Sequence, residues 1–214
     1  MDDSRLNRLL KWSVENSDVT RLDPGAATAA SSNPTELTPE LMAALMGGPS
    51  DADLMKASMD IVGAPASEAS LEDKLIAFDN FEQLIESLDN ANNIANLGLW
   101  TPLLEQLQHE EAEMRKMAAW CVGTAVQNNL KTQERLYAMG GVKTLVGLAT
   151  AVSEKEDVRR KAVYALSSAC RNYQPAMDVC VEELRDEGEK VDATDMVAVD
   201  VVMDGLREKI RAGL

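Results

Sequence analysis

The chain has 214 residues, with 21 basic and 36 acidic groups and a formal net charge of −15. An apolar content of 45% supports a packed core, but aromatics make up only 4% and His109 is the single histidine. This disfavours aromatic-rich sandwiches and barrels, His-based metal centres and Ser/His/Asp triads, and the acidity argues against nucleic acid or anionic membrane as partner.

The acidity is uneven. Residues 1–70 carry 5 basic and 11 acidic groups, residues 71–173 carry 11 and 14, and residues 174–214 carry 5 and 11. Residues 1–37 read as a flexible N-terminal segment and linker. Within it Leu6, Leu9 and Leu10 fall at helical spacing between Arg5, Arg8 and Lys11, with Trp12 following. So short a helix is marginal in water and is expected to order only on binding. Trp12, outside any repeat, is the best candidate for an anchoring aromatic. Pro24 to Pro34 is a small-residue linker. No apolar signal region follows the charged start, which predicts a cytosolic chain.

Residues 38–70 predict two short lead-in helices. The first has Thr38 as N-cap, Pro39 at the first helical position, and a stop at Gly47-Gly48-Pro49. The second starts at Ser50-x-x-Asp53, carries Leu54, Met55, Met59 and Val62, and closes at Gly63. A further capping box, Ser70-x-x-Asp73, opens a helix with Leu71, Leu75, Phe78, Ile85 and Leu88 at helical spacing.

From there the chain repeats itself. At an offset of 42, Leu75, Ala77, Phe78 and Leu84 fall on Met117, Ala119, Trp120 and Val126, and Gly98 falls on Gly140. At an offset of 44, Arg115, Lys116, Ala118, Trp120, Ala125 and Asn128 fall on Arg159, Arg160, Ala162, Tyr164, Ala169 and Asn172. Periods of this length belong to helical solenoids. The expected fold is therefore all-α, an armadillo-like helical repeat solenoid over 71–173. Its repeats run over 71–113 and 114–157, with a third beginning at Val158.

Each repeat contains a long helix, a polar corner and a second helix entered through Gly. The corners are Asp89-Asn90-Ala91-Asn92-Asn93, Gln127-Asn128-Asn129 and Arg171-Asn172-Tyr173. Asn suits such corners because it tolerates left-handed backbone and can cap the next helix. A solenoid sets equivalent residues side by side, so Ala91, Asn92, Asn93, Gln127, Asn128, Asn129, Arg171 and Asn172 are candidates for a partner-binding edge. Residues 174–214 form an acidic C-terminal capping region, with one amphipathic helix over Asp192 to Lys209 carrying Met196, Val197, Val199, Val201, Val202, Met203 and Leu206.

Other features carry no chemistry. Trp100 and Trp120 read as core, His109 as part of an exposed loop, and Arg159-Arg160-Lys161 as a solvated helix start. Cys121, Cys170 and Cys180 lack metal-site spacing and read as reduced, buried thiols. Adjacent carboxylates such as Glu110 and Glu111 do not face each other on a helix. No catalytic residue, metal site or cofactor is expected.

The segment Leu75 to Ile94 resembles the first repeat of the fungal armadillo-type nucleotide exchange factors for heat shock protein 70, the Fes/HspBP family. Gly123 to Asn129 resembles their second corner, Leu9 to Ser17 their N-terminal segment, and Leu54 to Met59 their leading helix. The resemblance implies a monomeric co-chaperone that grips the nucleotide-binding domain of cytosolic heat shock protein 70 and promotes ADP release. It further implies that Leu9, Leu10, Trp12 and Ser13 belong to a substrate-mimicking segment that releases clients. The runner-up is a general armadillo adaptor for an extended peptide, which would need a Trp/Asn ladder on successive helices. Trp100 aligns with Val142, so that ladder is missing.

Overall fold

The computed structural model describes residues 48–184 and 190–214. The predicted head with Leu9, Leu10, Trp12 and Ser13, and the predicted Thr38–Met46 helix, lie outside them. Asp51 to Leu214 form one compact unit, and its described residues contain no strand. Its helices are α1 (Asp51–Gly63), α2 (Leu71–Ile85), α3 (Leu88–Asn93), α4 (Trp100–Glu105, continued by a 3₁₀ turn at Gln106–Gln108), α5 (Ala112–Val126), α6 (Leu130–Ala138), α7 (Gly141–Thr150), α8 (Glu156–Cys170), α9 (Gln174–Glu183) and α10 (Met196–Arg211). This is the expected armadillo-like array.

Three helices of fifteen residues, α2, α5 and α8, form its spine, with α5 packed on both others. The predicted capping box starts α2. Ser70 Oγ accepts the Asp73 N–H at 3.2 Å, and Asp73 Oδ2 accepts the Ser70 N–H at 3.1 Å. Close approach of α5 and α8 follows from small residues, since Ala118, Ala119, Ala125, Ala162, Ala165 and Ala169 are all buried. At Gly123 a Cβ would lie 2.5 Å from a Tyr164 ring carbon and 3.1 Å from the Ala165 Cα.

The chain reverses where the repeat register places it. Asn128 (φ 52°) and Asn172 (φ 58°) are left-handed, as are Gly98 (φ 72°) and Gly140 (φ 73°). The offsets between the members of each pair are those found in the sequence. The first corner departs from this plan, because Leu88–Asn93 is helical. The reason is local. The Asn90 amide donates to the Leu84 carbonyl at 2.9 Å and to Asp51 Oδ2 at 2.8 Å, which ties α3 to the end of α2 and to α1 without a left-handed turn. Leu88, expected on the apolar face of α2, instead starts α3 and is exposed.

Neighbouring repeats are tied by polar links. The Arg115 guanidinium forks onto Glu154 at 2.5 and 2.9 Å while its third nitrogen donates to the carbonyls of His109 and Glu110. Arg159, its equivalent, is buried and donates to the carbonyls of Ala149 at 2.9 Å and Leu214 at 2.5 Å. The solvated helix start read at Arg159-Arg160-Lys161 is thus corrected. Arg159 reaches the Ala149 carbonyl in the last turn of α7, Arg160 is exposed and pairs with Glu156, and Lys161 lies over an aromatic ring. Gln133 of α6 donates to the carbonyls of Ser168, Ala169 and Arg171, closing the C-terminus of α8.

Helix α10 packs on α8. Asp195 caps it by accepting from the N–H groups of Val197 and Ala198. Val199, Met203, Leu206 and Ile210 are buried, whereas Val197 and Val201 face solvent. The buried set advances by four, three and four residues, one helical stripe.

The Arg115 bond holds the Glu154 carboxyl below the ordinary carboxylate range. A depressed native value stabilises the fold above the unfolded pKa and is lost as pH falls through the native one. Glu154→Gln should therefore cost about 1–2 kcal/mol at neutral pH. In paired thermal melts that difference should close as pH drops below the usual carboxylate range.

Candidate functional site

The C-terminal halves of the spine helices line a shallow groove formed by Glu82 of α2 and Glu86 just beyond it, Trp120 and Thr124 of α5, Gln127 and Asn128 of the second corner, and Tyr164 of α8. The Thr124 hydroxyl donates to Glu82 Oε1 at 2.7 Å across α2 and α5, and the Tyr164 hydroxyl donates to Gln127 Oε1 at 3.3 Å. Lys161, one turn before Tyr164, places its Nζ 3.7 Å from the centre of the Trp120 ring and 5.6 Å from that of Tyr164. Burial pushes the Lys161 amine below the ordinary lysine value, so this cation is partly desolvated and held against an aromatic face.

Trp120 also lines an apolar depression together with Leu71, Leu75, Ile76, Asp79 and Met117. Ile76 is 55% exposed there. The indole thus borders both a polar recess and an apolar one. Trp120 was expected in the core but is only half-buried. Helix α5 is so rich in Ala and so widely buried that periodicity does not single out its groove-facing residue. Trp100, by contrast, is core at 1% exposure.

The eight corner candidates separate by environment. Ala91 and Asn129 are buried. Asn92 and Asn93 are half-buried, the latter accepting from Asn96 at 3.2 Å. Arg171 donates to Ser167 Oγ at 3.1 Å and pairs with Asp200 of α10. Gln127, Asn128 and Asn172 are exposed, the first two in the groove wall. Sequence reasoning missed Glu82, Thr124, Lys161 and Tyr164, although the 44-residue match of Trp120 with Tyr164 was a usable signal. His109, expected exposed, is half-buried and accepts the Glu111 N–H at 2.9 Å through Nδ1. Among the described residues no cluster of His, Cys, Asp or Glu is placed to hold a metal, and no helix is long and apolar enough to cross a membrane.

The fold and groove define a helical-repeat binding protein. Residues 6–94 match the family described as nucleotide exchange factor Fes1, and residues 90–183 match the SIL1/FES1/HPBP1 C-terminal domain. A Gibberella zeae protein named Hsp70 nucleotide exchange factor FES1 is 72% identical, over 98% of this chain and 99% of the relative. A Neurospora crassa protein of corresponding name is 50% identical over 98% and 99%. A Saccharomyces cerevisiae FES1 is 45% identical over 79% of this chain and 57% of its own length. The chain belongs to the Fes1 family of nucleotide exchange factors. A solved engineered protein matches the fold alone, with a TM-score of 0.53, 19% identity, and coverage of 96% of this chain and 89% of that one.

Proposed function

We propose that the chain is a co-chaperone that binds the nucleotide-binding domain of cytosolic heat shock protein 70 and promotes ADP release. The observation that carries this reading is the 72% identity to an Hsp70 nucleotide exchange factor along essentially the whole chain. Its action is binding, not catalysis. A factor that binds the open, nucleotide-free conformation better than the closed one shifts the chaperone toward opening, and nucleotide must weaken its binding by the same factor.

The groove supplies a surface of suitable chemistry for that grip. Trp120 and Tyr164 offer apolar area, continued by Ile76 in the adjoining depression, while Gln127 and Asn128 offer polar partners beside the Lys161 amine. The N-terminal segment, through Leu9, Leu10, Trp12 and Ser13, occupies the chaperone's peptide site and prevents released clients from rebinding. The factor works as a cytoplasmic monomer without a cofactor.

Release of a fluorescent ADP analogue from heat shock protein 70 tests the reading. Micromolar amounts of the chain should accelerate release, and an unchanged rate would overturn it. Changing Leu9, Leu10 and Trp12 together to Ala should leave ADP release intact while release of a bound peptide client slows. Equal loss of both would remove the separate role of the segment.

A further inference from the structure

The two recesses beside Trp120 share a surplus of negative charge. Glu72 and Asp79 line the apolar depression, and Glu82 and Glu86 line the groove. Along α2 and its C-cap, Glu72, Asp79 and Glu86 recur every seven residues and so fall on one helix face. Among the described residues, none of these carboxylates lies within ion-pair distance of a cation. Glu82 matters most. It is only 6% exposed, yet the donor at its Oε1 is a neutral one, the Thr124 hydroxyl at 2.7 Å. Covering a carboxylate costs desolvation energy that a neutral donor offsets only in part. The Lys161 amine lies over the Trp120 ring, 3.7 Å from its centre, and forms no ion pair with Glu82.

We infer that the groove receives a cationic side chain of the chaperone, an arginine, against Glu86 and Glu82. This rests on the exchange-factor role proposed above and names the chemistry that the groove takes. The planar fork of a guanidinium suits the exposed Glu86 carboxylate, its face suits the Tyr164 ring, and its charge compensates the covered Glu82. A lysine lacks both the fork and the stacking face. Lys161 opposes entry through its like charge, whereas a partner bringing an acidic group would seek it. The two signs of partner charge therefore predict opposite effects of removing Lys161.

Affinity of the intact chain for heat shock protein 70 is measured by titration at low and physiological salt, beside the rate of ADP release. Glu86→Gln should weaken binding about five-fold and Glu86→Arg about thirty-fold, while Lys161→Met should tighten it about three-fold. All three effects should shrink as salt is raised. Glu86 is exposed, so both of its variants should melt like the wild type. In addition, the chaperone is treated with phenylglyoxal, which labels arginine, and analysed by mass spectrometry. One chaperone arginine should be shielded by the wild-type chain and reactive again with Glu86→Arg at equal occupancy. Wild-type affinity in both Glu86 variants, weaker binding of Lys161→Met, or no such arginine would overturn this inference while leaving accelerated ADP release by the wild type intact. A wild-type chain that fails to speed release would overturn the exchange-factor role, and this inference with it.

Discussion

Trp120→Ala and Tyr164→Ala are each expected to weaken binding to heat shock protein 70 by roughly thirty-fold. That corresponds to about 2 kcal/mol, the cost of losing a central aromatic anchor. Trp120 lines both the polar and the apolar recess, and both side chains flank the Lys161 amine. Removing the indole therefore takes away apolar contact area and frees the lysine. Lys161→Met separates the two effects, because it keeps the hydrophobic stem and discards the charge. A groove that grips mainly through its rings should tolerate Lys161→Met far better than either alanine variant. The readouts are affinity by titration and the rate of ADP release, with a thermal melt confirming that each variant folds. Wild-type affinity in both alanine variants would move the grip away from this groove while leaving exchange activity itself untouched.

The second large effect concerns the α5–α8 contact. Gly123→Val should destabilise the fold by about 3 kcal/mol in urea unfolding, because overpacking forces helices apart. Even a single Cβ would lie 2.5 and 2.6 Å from the Tyr164 ring and 3.1 Å from the Ala165 Cα. The ring can swing aside, but the backbone of α8 gives way only by moving the helix. Gly123→Ala should also destabilise, by about 1 kcal/mol, because displacing the ring and easing α8 outward outweighs the helix propensity gained. Gly147 in α7 provides the control. Nothing lies within 4 Å of its Cβ position, so Gly147→Ala should stabilise by up to about 1 kcal/mol. Equal effects at the two glycines would mean that α5 and α8 are not held at this distance.

Much of the fold could be read from residues whose conformational needs are local. Ser70 and Asp73 announce the start of α2, Gly98 and Gly140 lie where left-handed backbone is required, and Asn128 and Asn172 mark equivalent corners. The site was harder to read, because exposure depends on neighbours distant in sequence. Ala91 and Asn129 share the composition of a corner but are covered by packing. Arg171 meets Asp200 on a helix 25 residues further along, and Arg159 is drawn inward by the carbonyls of Ala149 and Leu214. Trp120 is the converse case. An aromatic within an Ala-rich helix looks like core until the partner helices show which side stays open.

The polar links between repeats join successive units: Thr124 to Glu82, Arg115 to the carbonyls of His109 and Glu110, and Gln133 to the end of α8. A body assembled this way behaves mechanically as springs in series. Small rotations at successive joints add, so the two ends can shift by more than any one contact must yield. Such compliance suits a clamp whose target changes its own shape while held. It also locates the stiffness that matters at the α5–α8 joint, where Gly123 brings the helices closest.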